Sequence, residues 1–280
     1  MDKKVYIETY GCQMNVADSE VVVSVLKDQG YDVTGKMDEA DLILVNTCSI
    51  RENAEQRIWG RLKVIGQVKR KNREVVVGLI GCMAERLREK ISEREQLVDI
   101  IAGPDSYRNL PELVNTAVSG RKAINVKLLK EETYSDIAPL RYDTNNVTAF
   151  VSIMRGCNNM CAYCVVPYVR GAERSRDPDS IVKEITDLTG KGYREVTLIG
   201  QNVNSYRWQK GESSTGFPEL LERVALLNPS LRVRFSTSHP KDISDKLLHT
   251  ISKHRNICRH IHLPAQSGSN RILNLMNREY

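Results

Sequence analysis

Short Val- and Ile-rich runs alternate with stretches of helical spacing along the first 120 residues, and this alternation constrains the fold more than any other feature. Lys4–Tyr10, Asp41–Asn46, Val75–Ile80 and Asp99–Ala102 read as strands. Between them, Val16–Gln29 reads as an amphipathic helix ended by Gly30, with further helices from about 51 to 71 and about 84 to 93. Asp105 or Ser106 is placed to cap a last helix, with Pro111 tolerated in its first turns or splitting it. Continuous apolar strands separated by helices belong to a parallel sheet covered on both faces, not to an antiparallel α+β layer. The expectation for residues 1–120 is therefore an α/β domain with an open parallel sheet.

Residues 121–147 lose this rhythm: Lys127–Glu132 and Tyr134–Asn146 are polar, with Pro139 and Asn145-Asn146, and read as a linker. A second series of units fills 148–280. Strands are predicted at Ala149–Met154, Glu195–Gly200, Leu231–Ser236 and Ile261–Pro264, and helices near Pro178–Lys191, Pro218–Leu227 and Asp242–Lys253, with one more opening near Ser269. Four βα units cannot close an eight-stranded barrel, so the second domain reads as a partial, truncated βα barrel. A length of 280 residues suits two such domains.

Composition narrows the class. At 41% hydrophobic and 27% charged the chain is globular. Its longest apolar runs, Val21–Leu26 and Val75–Ile80, fall far short of the roughly 20 residues of a membrane span. Charges at the start give way at once to an alternating pattern, without the apolar core of a signal peptide, so a cytoplasmic location and no membrane association are expected. A net charge of +6 permits a nucleic-acid partner without requiring one. Seven cysteines, an odd count without a secretory leader, argue for thiolates used as metal ligands or nucleophiles and against a disulfide framework.

Six of those cysteines fall into two sets of three. Cys157, Cys161 and Cys164 form C-x3-C-x2-C after the first strand of the second series. Three thiolates at this spacing can wrap one inorganic cluster, each reaching a different iron, and three ligands leave a fourth iron open. A structural zinc site wants a fourth ligand that no nearby His or Cys supplies. Cys12, Cys48 and Cys82 are scattered in sequence, yet each sits within two residues of the carboxyl end of a predicted strand. In a parallel sheet those ends share the edge where ligands bind, which predicts a second three-thiolate site. Gly11 and Gly81 beside two of them fit a backbone that turns tightly. Cys258 reads as a small packed hydrophobe.

At these residues the chain resembles the radical S-adenosylmethionine enzymes, and the preceding three-cysteine domain narrows the resemblance to the methylthiotransferases. Tyr10-Gly11-Cys12-Gln13-Met14-Asn15, Asn46-Thr47-Cys48-Ser49-Ile50-Arg51-Glu52-Asn53-Ala54 and Ile199-Gly200-Gln201-Asn202-Val203-Asn204-Ser205-Tyr206 are similar to the MiaB branch, which modifies N6-isopentenyladenosine in tRNA. Sister branches, acting on a ribosomal-protein aspartate or on threonylcarbamoyl-adenosine, resemble it less after Cys48 and at Gln201–Tyr206. The resemblance implies two 4Fe-4S clusters. The one on Cys157, Cys161 and Cys164 would chelate and cleave S-adenosylmethionine to a radical that takes hydrogen from C2 of the adenosine. The one on Cys12, Cys48 and Cys82 would present the sulfur. It further implies a tRNA anticodon loop as substrate and a flavodoxin-type electron donor. The alternatives are the ribosomal-protein activity and a non-catalytic iron–sulfur or RNA-binding module. Family members usually add two βα units and a small β-barrel RNA-binding domain, neither found here, so weak hold on tRNA is expected of this chain.

Supporting residues follow from their places. Tyr163 lies inside the cysteine loop, where it can contact the adenine of S-adenosylmethionine. Gln201, Asn202 and Asn204 end the second barrel strand, Arg234, Ser236 and Ser238 the third, and Gln266 and Ser267 follow the fourth, where a barrel builds its site. Arg170, Arg174 and Arg176 form a basic run suited to RNA phosphate, with Tyr168 or Trp208 to stack on a splayed base. Lys69–Arg73 reads as a solvated helix end.

Overall fold

The computed structural model describes residues 3–48, 52–142 and 146–280, with the side chains of 52–54 and of Arg94 left aside. Ser49–Arg51 of the second quoted motif and residues 143–145 of the expected linker lie outside the described residues. By its contacts the chain forms two compact units. The first is Met1–Leu129 with Ile137–Tyr142 and Tyr168–Arg170; the second is Lys130–Asp136, Asp143–Pro167 and Gly171–Tyr280.

The first unit runs β1 (Lys3–Thr9), α1 (Gln13–Lys27), β2 (Tyr31–Val33), β3 (Leu42–Thr47), α2 (Glu52–Lys71), β4 (Val76–Gly81), α3 (Cys82–Arg86), α4 (Arg88–Arg94), β5 (Ile100–Ala102), α5 (Leu110–Val118) and β6 (Ala123–Asn125). Its sheet has the order β2-β1-β3-β4-β5-β6 and every pairing is parallel. Ile43 and Val45 pack with Ile58, Leu62 and Ile65 of α2 on one face. Truncating one of those buried side chains to alanine typically costs about 2–5 kcal/mol. The expected α/β class holds, with corrections. Strand β2 was not foreseen, and β6 forms inside the stretch read as a linker, its Asn125 accepting from Ser106 Oγ at 3.0 Å. Three residues carry too little periodicity to be seen alone; the neighbouring strand makes them strands.

The helices also depart from expectation. Helix α1 begins at Gln13, and it is not amphipathic: Asn15, Asp18, Ser19 and Glu20 are buried along with Val21, Val22 and Val23. Its polar side chains are satisfied, Ser19 by Thr9 at 2.7 Å and Glu20 by Arg141. The segment Ile137–Tyr142 straps onto α1, since Ser24 Oγ donates to Ala138 O at 2.8 Å and Leu140 N donates to Glu20 O at 3.2 Å. The helix expected near 84–93 is two, broken at Leu87. Neither Asp105 nor Ser106 caps α5: Asp105 accepts instead from Leu129 N at 3.0 Å, and Pro111 sits in the first turn.

The second unit contains β7 (Thr148–Ser152), β8 (Met154–Arg155), the loop before α6 (Val166–Arg170) with the first two residues of that helix, and all of the chain after it: β9 (Arg174–Ser175), α7 (Pro178–Gly190), β10 (Glu195–Ile199), the hairpin β11 (Arg207–Lys210) and β12 (Ser213–Gly216), α8 (Phe217–Leu227), β13 (Arg232–Ser236), α9 (Asp245–Lys253) and α10 (Asn270–Leu275). Three parallel strands, ordered β13-β10-β7, form its sheet. Val151, Val196, Leu198 and Phe235 pack with Ile181, Leu221 and Leu247 in one core, where Phe217 meets Phe235 edge-on at 5.2 Å. Asp177 caps α7 and Ser244 caps α9, so α9 starts later than Asp242. No strand forms at Ile261–Pro264. The chain instead pairs with β13 at Ile257, where Val233 N donates to Asn256 O and Cys258 N to Val233 O, both at 2.9 Å. Pro264 has no N–H for a ladder.

Glu85 of α3 has a carboxylate oxygen, Oε2, that is buried without a hydrogen-bond partner. Burial pushes its carboxyl up to about 7 from 4.5, against the pull of Arg88 and with help from Asp105. An acid whose folded-state pKa is raised stabilises the fold fully below its unfolded value, and that stability is lost as pH rises through the folded value. Stability is therefore expected to fall between about pH 4.5 and about pH 7. Glu85→Gln should raise the melting temperature at pH 8 by about 2–4 °C, for about 1 kcal/mol after solvent screening. It should leave the melting temperature unchanged near pH 4.5, as calorimetry at both pH values would read.

Candidate functional site

Parallel register gathers the scattered cysteines. Thr9 of β1 pairs with Asn46 of β3, and Asn46 and Thr47 pair with Ile80 and Gly81 of β4. Cys48 and Cys82 thus leave neighbouring strands at the same level, and Cys12 follows β1 after a two-residue turn. Gly11 has φ +120° and Gly81 φ +91°, a region that disfavours any residue with a Cβ. A Cβ at Gly11 would collide with Cys48, and one at Gly81 would collide with the Asn46 amide and lie 2.7 Å from Thr47 O.

The thiols of Cys12 and Cys82 are shifted in opposite directions. Cys12 caps α1 and its thiol is brought down to about 6. The Cys48 thiol hydrogen-bonding to it is the main cause, partial burial opposes, and the Arg170 charge and the amides of Asn15 and Met14 assist. Cys82 is fully buried and is pushed up by desolvation, with Arg170 pulling the other way. A buried polar network supports the three. Asn15 donates to Tyr10 O at 3.0 Å and to Asn46 Oδ1 at 3.3 Å, and Asn46 donates to Asn15 O and Ser19 Oγ, both at 2.9 Å. Arg170 donates through Nη2 to Asp18 Oδ2 at 2.8 Å and Asn15 Oδ1 at 3.2 Å.

In the second unit Cys157 and Cys161 are buried and Cys164 half-buried. The loop is held by backbone: Cys157 N donates to Gly171 O at 3.2 Å, Cys164 N to Cys161 O at 2.9 Å and Ala162 N to Met276 O at 2.9 Å. Gly156 precedes it at φ +74°, where a Cβ would collide with Ala172 O. Desolvation raises the thiols of Cys157 and Cys164, against the Asn159 and Val166 amides respectively. Arg278, which the sequence reading did not select, is 7% exposed and donates to Cys161 Sγ at 3.4 Å and Pro264 O at 3.1 Å.

Among the described residues, no three Cys, His, Asp or Glu side chains close around a single metal ion. Both trios are sets of three soft donors, which fits a polynuclear iron–sulfur core that takes each thiolate on a separate iron.

At the carboxyl ends of β10 and β13, Gly200 N donates to Ser236 O at 3.1 Å and Val203 N to Thr237 O at 2.9 Å, joining the two loops. Gln201 Oε1, Asn202 Oδ1, both amide atoms of Asn204 and Ser238 Oγ are buried there without a hydrogen-bond partner. Buried polar atoms are nearly always bonded, so this group has capacity for a polar ligand. Asn202 spends its Nδ2 on Asp242 at 2.6 Å. Ser236 is half-buried at the end of β13, and Tyr163 is exposed.

Other expected contacts are corrected. Arg234 turns back to Glu195 at the amino end of β10, at 3.1 Å, because the carboxylate beside it holds the guanidinium there. Gln266 is exposed with φ +64° and does not join the group. Arg170, Arg174 and Arg176, expected to meet RNA, are 3%, 7% and 6% exposed. Arg170 pairs with Asp18 and Arg176 with Glu184, so these charges are neutralised inside the fold. Trp208 packs against the core, whereas Tyr168 is exposed, and Lys69 pairs with Asp99.

Two family profiles match the chain, uncharacterized protein family UPF0004 over residues 4–103 and the radical SAM superfamily over 151–280. The tRNA-2-methylthio-N(6)-dimethylallyladenosine synthase of Amoebophilus asiaticus is 56% identical over 289 residues, 99% of this chain and 60% of that protein. Proteins of the same name from Bacteroides fragilis and Porphyromonas gingivalis are 56% and 55% identical, each over 100% of this chain and 61% of theirs. The chain thus spans about 60% of the length of these curated relatives. Among solved structures, the radical S-adenosylmethionine methyltransferase TsrM of Kitasatospora setae, with tryptophan substrate and a SAM analogue bound, superposes with TM-score 0.64 at 12% identity over 97% of this chain and 60% of that one. The same enzyme with cobalamin and a [4Fe-4S] cluster gives 0.64 at 13%, over 98% and 60%. That likeness speaks for the fold alone. Two profiles in this order, with relatives more than half identical along the whole chain, leave one placement: the chain belongs to the MiaB family of radical S-adenosylmethionine methylthiotransferases.

Proposed function

We propose that this chain carries the catalytic part of a tRNA methylthiotransferase that converts N6-isopentenyladenosine beside the anticodon to its 2-methylthio derivative. One observation carries the reading: a C-x3-C-x2-C loop and a second trio of cysteines at the ends of neighbouring parallel strands occur in the same chain. Cys157, Cys161 and Cys164 would hold a 4Fe-4S cluster that takes S-adenosylmethionine, and Cys12, Cys48 and Cys82 a second one. The first trio belongs to a functional region over 148–280, the second to one over 1–120, with 121–147 between. Bound clusters supply the electron that cleaves S-adenosylmethionine and the sulfur that replaces an unactivated C–H bond.

The protein's own part is positioning. Asn202, Asn204, Gln201 and Ser238 offer unspent donors and acceptors to the amino-acid end or ribose of S-adenosylmethionine. Tyr163, exposed beside Cys164, is free to cover the adenine. Ser236 lies within the same strand end. Cys12, its thiol brought down to about 6, is ready to ligate iron without a separate base. The names of the relatives support tRNA as the substrate. A flavodoxin-type donor and a cytoplasmic setting complete the proposal, in keeping with the finding that no helix among the described residues is long and apolar enough to cross a membrane.

Anaerobic reconstitution should give about eight irons per chain, falling to about four when Cys12, Cys48 and Cys82 become alanine. An unchanged count would remove the sheet-edge trio from the reading. With dithionite and S-adenosylmethionine, the reconstituted chain should release 5′-deoxyadenosine; its absence from a fully loaded sample rejects the enzyme reading. Side-by-side incubation with isopentenylated tRNA and ribosomal protein decides the branch. Asn204→Ala should weaken S-adenosylmethionine binding about tenfold, the value of one well-made hydrogen bond, as equilibrium dialysis would measure.

A further inference from the structure

Arg170 carries a charge that acts on both Cys12 and Cys82 of the sheet-edge trio. It is 3% exposed, and a buried guanidinium is costly unless its donors are used. Nη2 donates to Asp18 Oδ2 at 2.8 Å and Asn15 Oδ1 at 3.2 Å. Asp18 also accepts from Tyr107 Oη at 3.4 Å, which fixes the carboxylate. The Arg170 charge acts on both Cys82 and Cys12. Asn15 closes the circuit, since the Cys12 thiol lies 3.6 Å from its Oδ1.

We propose that Arg170 is a positioning residue for a cluster on Cys12, Cys48 and Cys82, its guanidinium bonded through Nη2 to Asp18 and Asn15 and its charge set against the thiolates. The inference rests on the cluster reading above. Three thiolates and a carboxylate meeting at this edge carry excess negative charge, and a single guanidinium offsets part of it. Hydrogen bonds to sulfur and net charge are what set the potential of an iron–sulfur cluster. Lysine keeps the charge but loses the flat guanidinium whose Nη2 meets Asp18 and Asn15. An ion pair that only packed α1 would move stability and leave the potential alone.

The test uses the full chain with Cys157, Cys161 and Cys164 changed to alanine, so that only the sheet-edge site loads. The parent, Arg170→Lys and Arg170→Met are reconstituted anaerobically with iron and sulfide. Expected for Arg170→Met are loss of iron to a chelator on the order of tenfold faster and a more negative midpoint potential by redox titration. Arg170→Lys should fall between. A midpoint and a chelation rate both equal to the parent's overturn the proposal and leave Arg170 a structural ion pair. If circular dichroism shows Arg170→Met unfolded, Arg170→Lys decides on the same two readings. A parent that loads no iron overturns the cluster reading itself, and the inference falls with it.

Discussion

Parallel pairing of β1, β3 and β4 is the constraint on which the sheet-edge site depends. A parallel ladder sends successive strands out at one edge, so residues far apart in sequence leave the sheet together. Thr47 pairs with Gly81, and the next residue on each strand is a cysteine. A slip of one residue in that register would turn Asn46 out of its bonds with Asn15 and Ser19 and separate Cys48 from Cys82. The tight approach leaves no space for side chains at the turns, which is why glycine stands at Gly11 and Gly81.

The polar residues buried under this edge carry a cost that the fold meets with hydrogen bonds, not with exposure. Asn15, Asn46, Ser19, Asp18 and Arg170 are joined in one network, each held by at least one partner. Apolar replacements would pack a generic sheet as well or better. A buried network of this kind instead fixes the direction of the backbone that presents the cysteines, and it does so from α1, whose first turn also carries the amides that favour the Cys12 thiolate.

Much of this was legible in the sequence. Strands β1, β3, β4, β5, β7, β10 and β13 announce themselves through short runs carrying Val, Ile and other apolar residues, and six cysteines stand at their ends or in one loop. The C-terminal contacts were half legible. Gln201, Asn202, Asn204 and Ser238 keep unbonded polar atoms, whereas Arg234 and Gln266 sit elsewhere. What failed was the reading of charge: a run of arginines looks solvent-facing in sequence, and nothing local reveals that Asp18 and Glu184 wait inside the fold for Arg170 and Arg176. The glycine signal read beside Cys12 and Cys82 extends to Cys157: each follows a glycine, and all three glycines take positive φ. Arg278 left no such trace, because its contact with Cys161 depends on the chain returning to the loop.

The two trios rest on different kinds of order. The sheet-edge cysteines come from three strands whose register is set by the whole first unit, so their geometry persists as long as that unit is folded. The loop cysteines occupy eight consecutive residues and owe their shape to a few bonds from later chain: Gly171 O, Met276 O, and Asn277, whose Nδ2 donates to Met160 O at 2.7 Å. Residues from α6 onward therefore act on the loop as splints. A loop of this design can adjust around a ligand at its open side, whereas a site spread over three strands cannot move one cysteine without straining the ladder that positions the other two. That contrast suits a division in which the loop meets an exchanging small molecule and the sheet edge holds a fixed group.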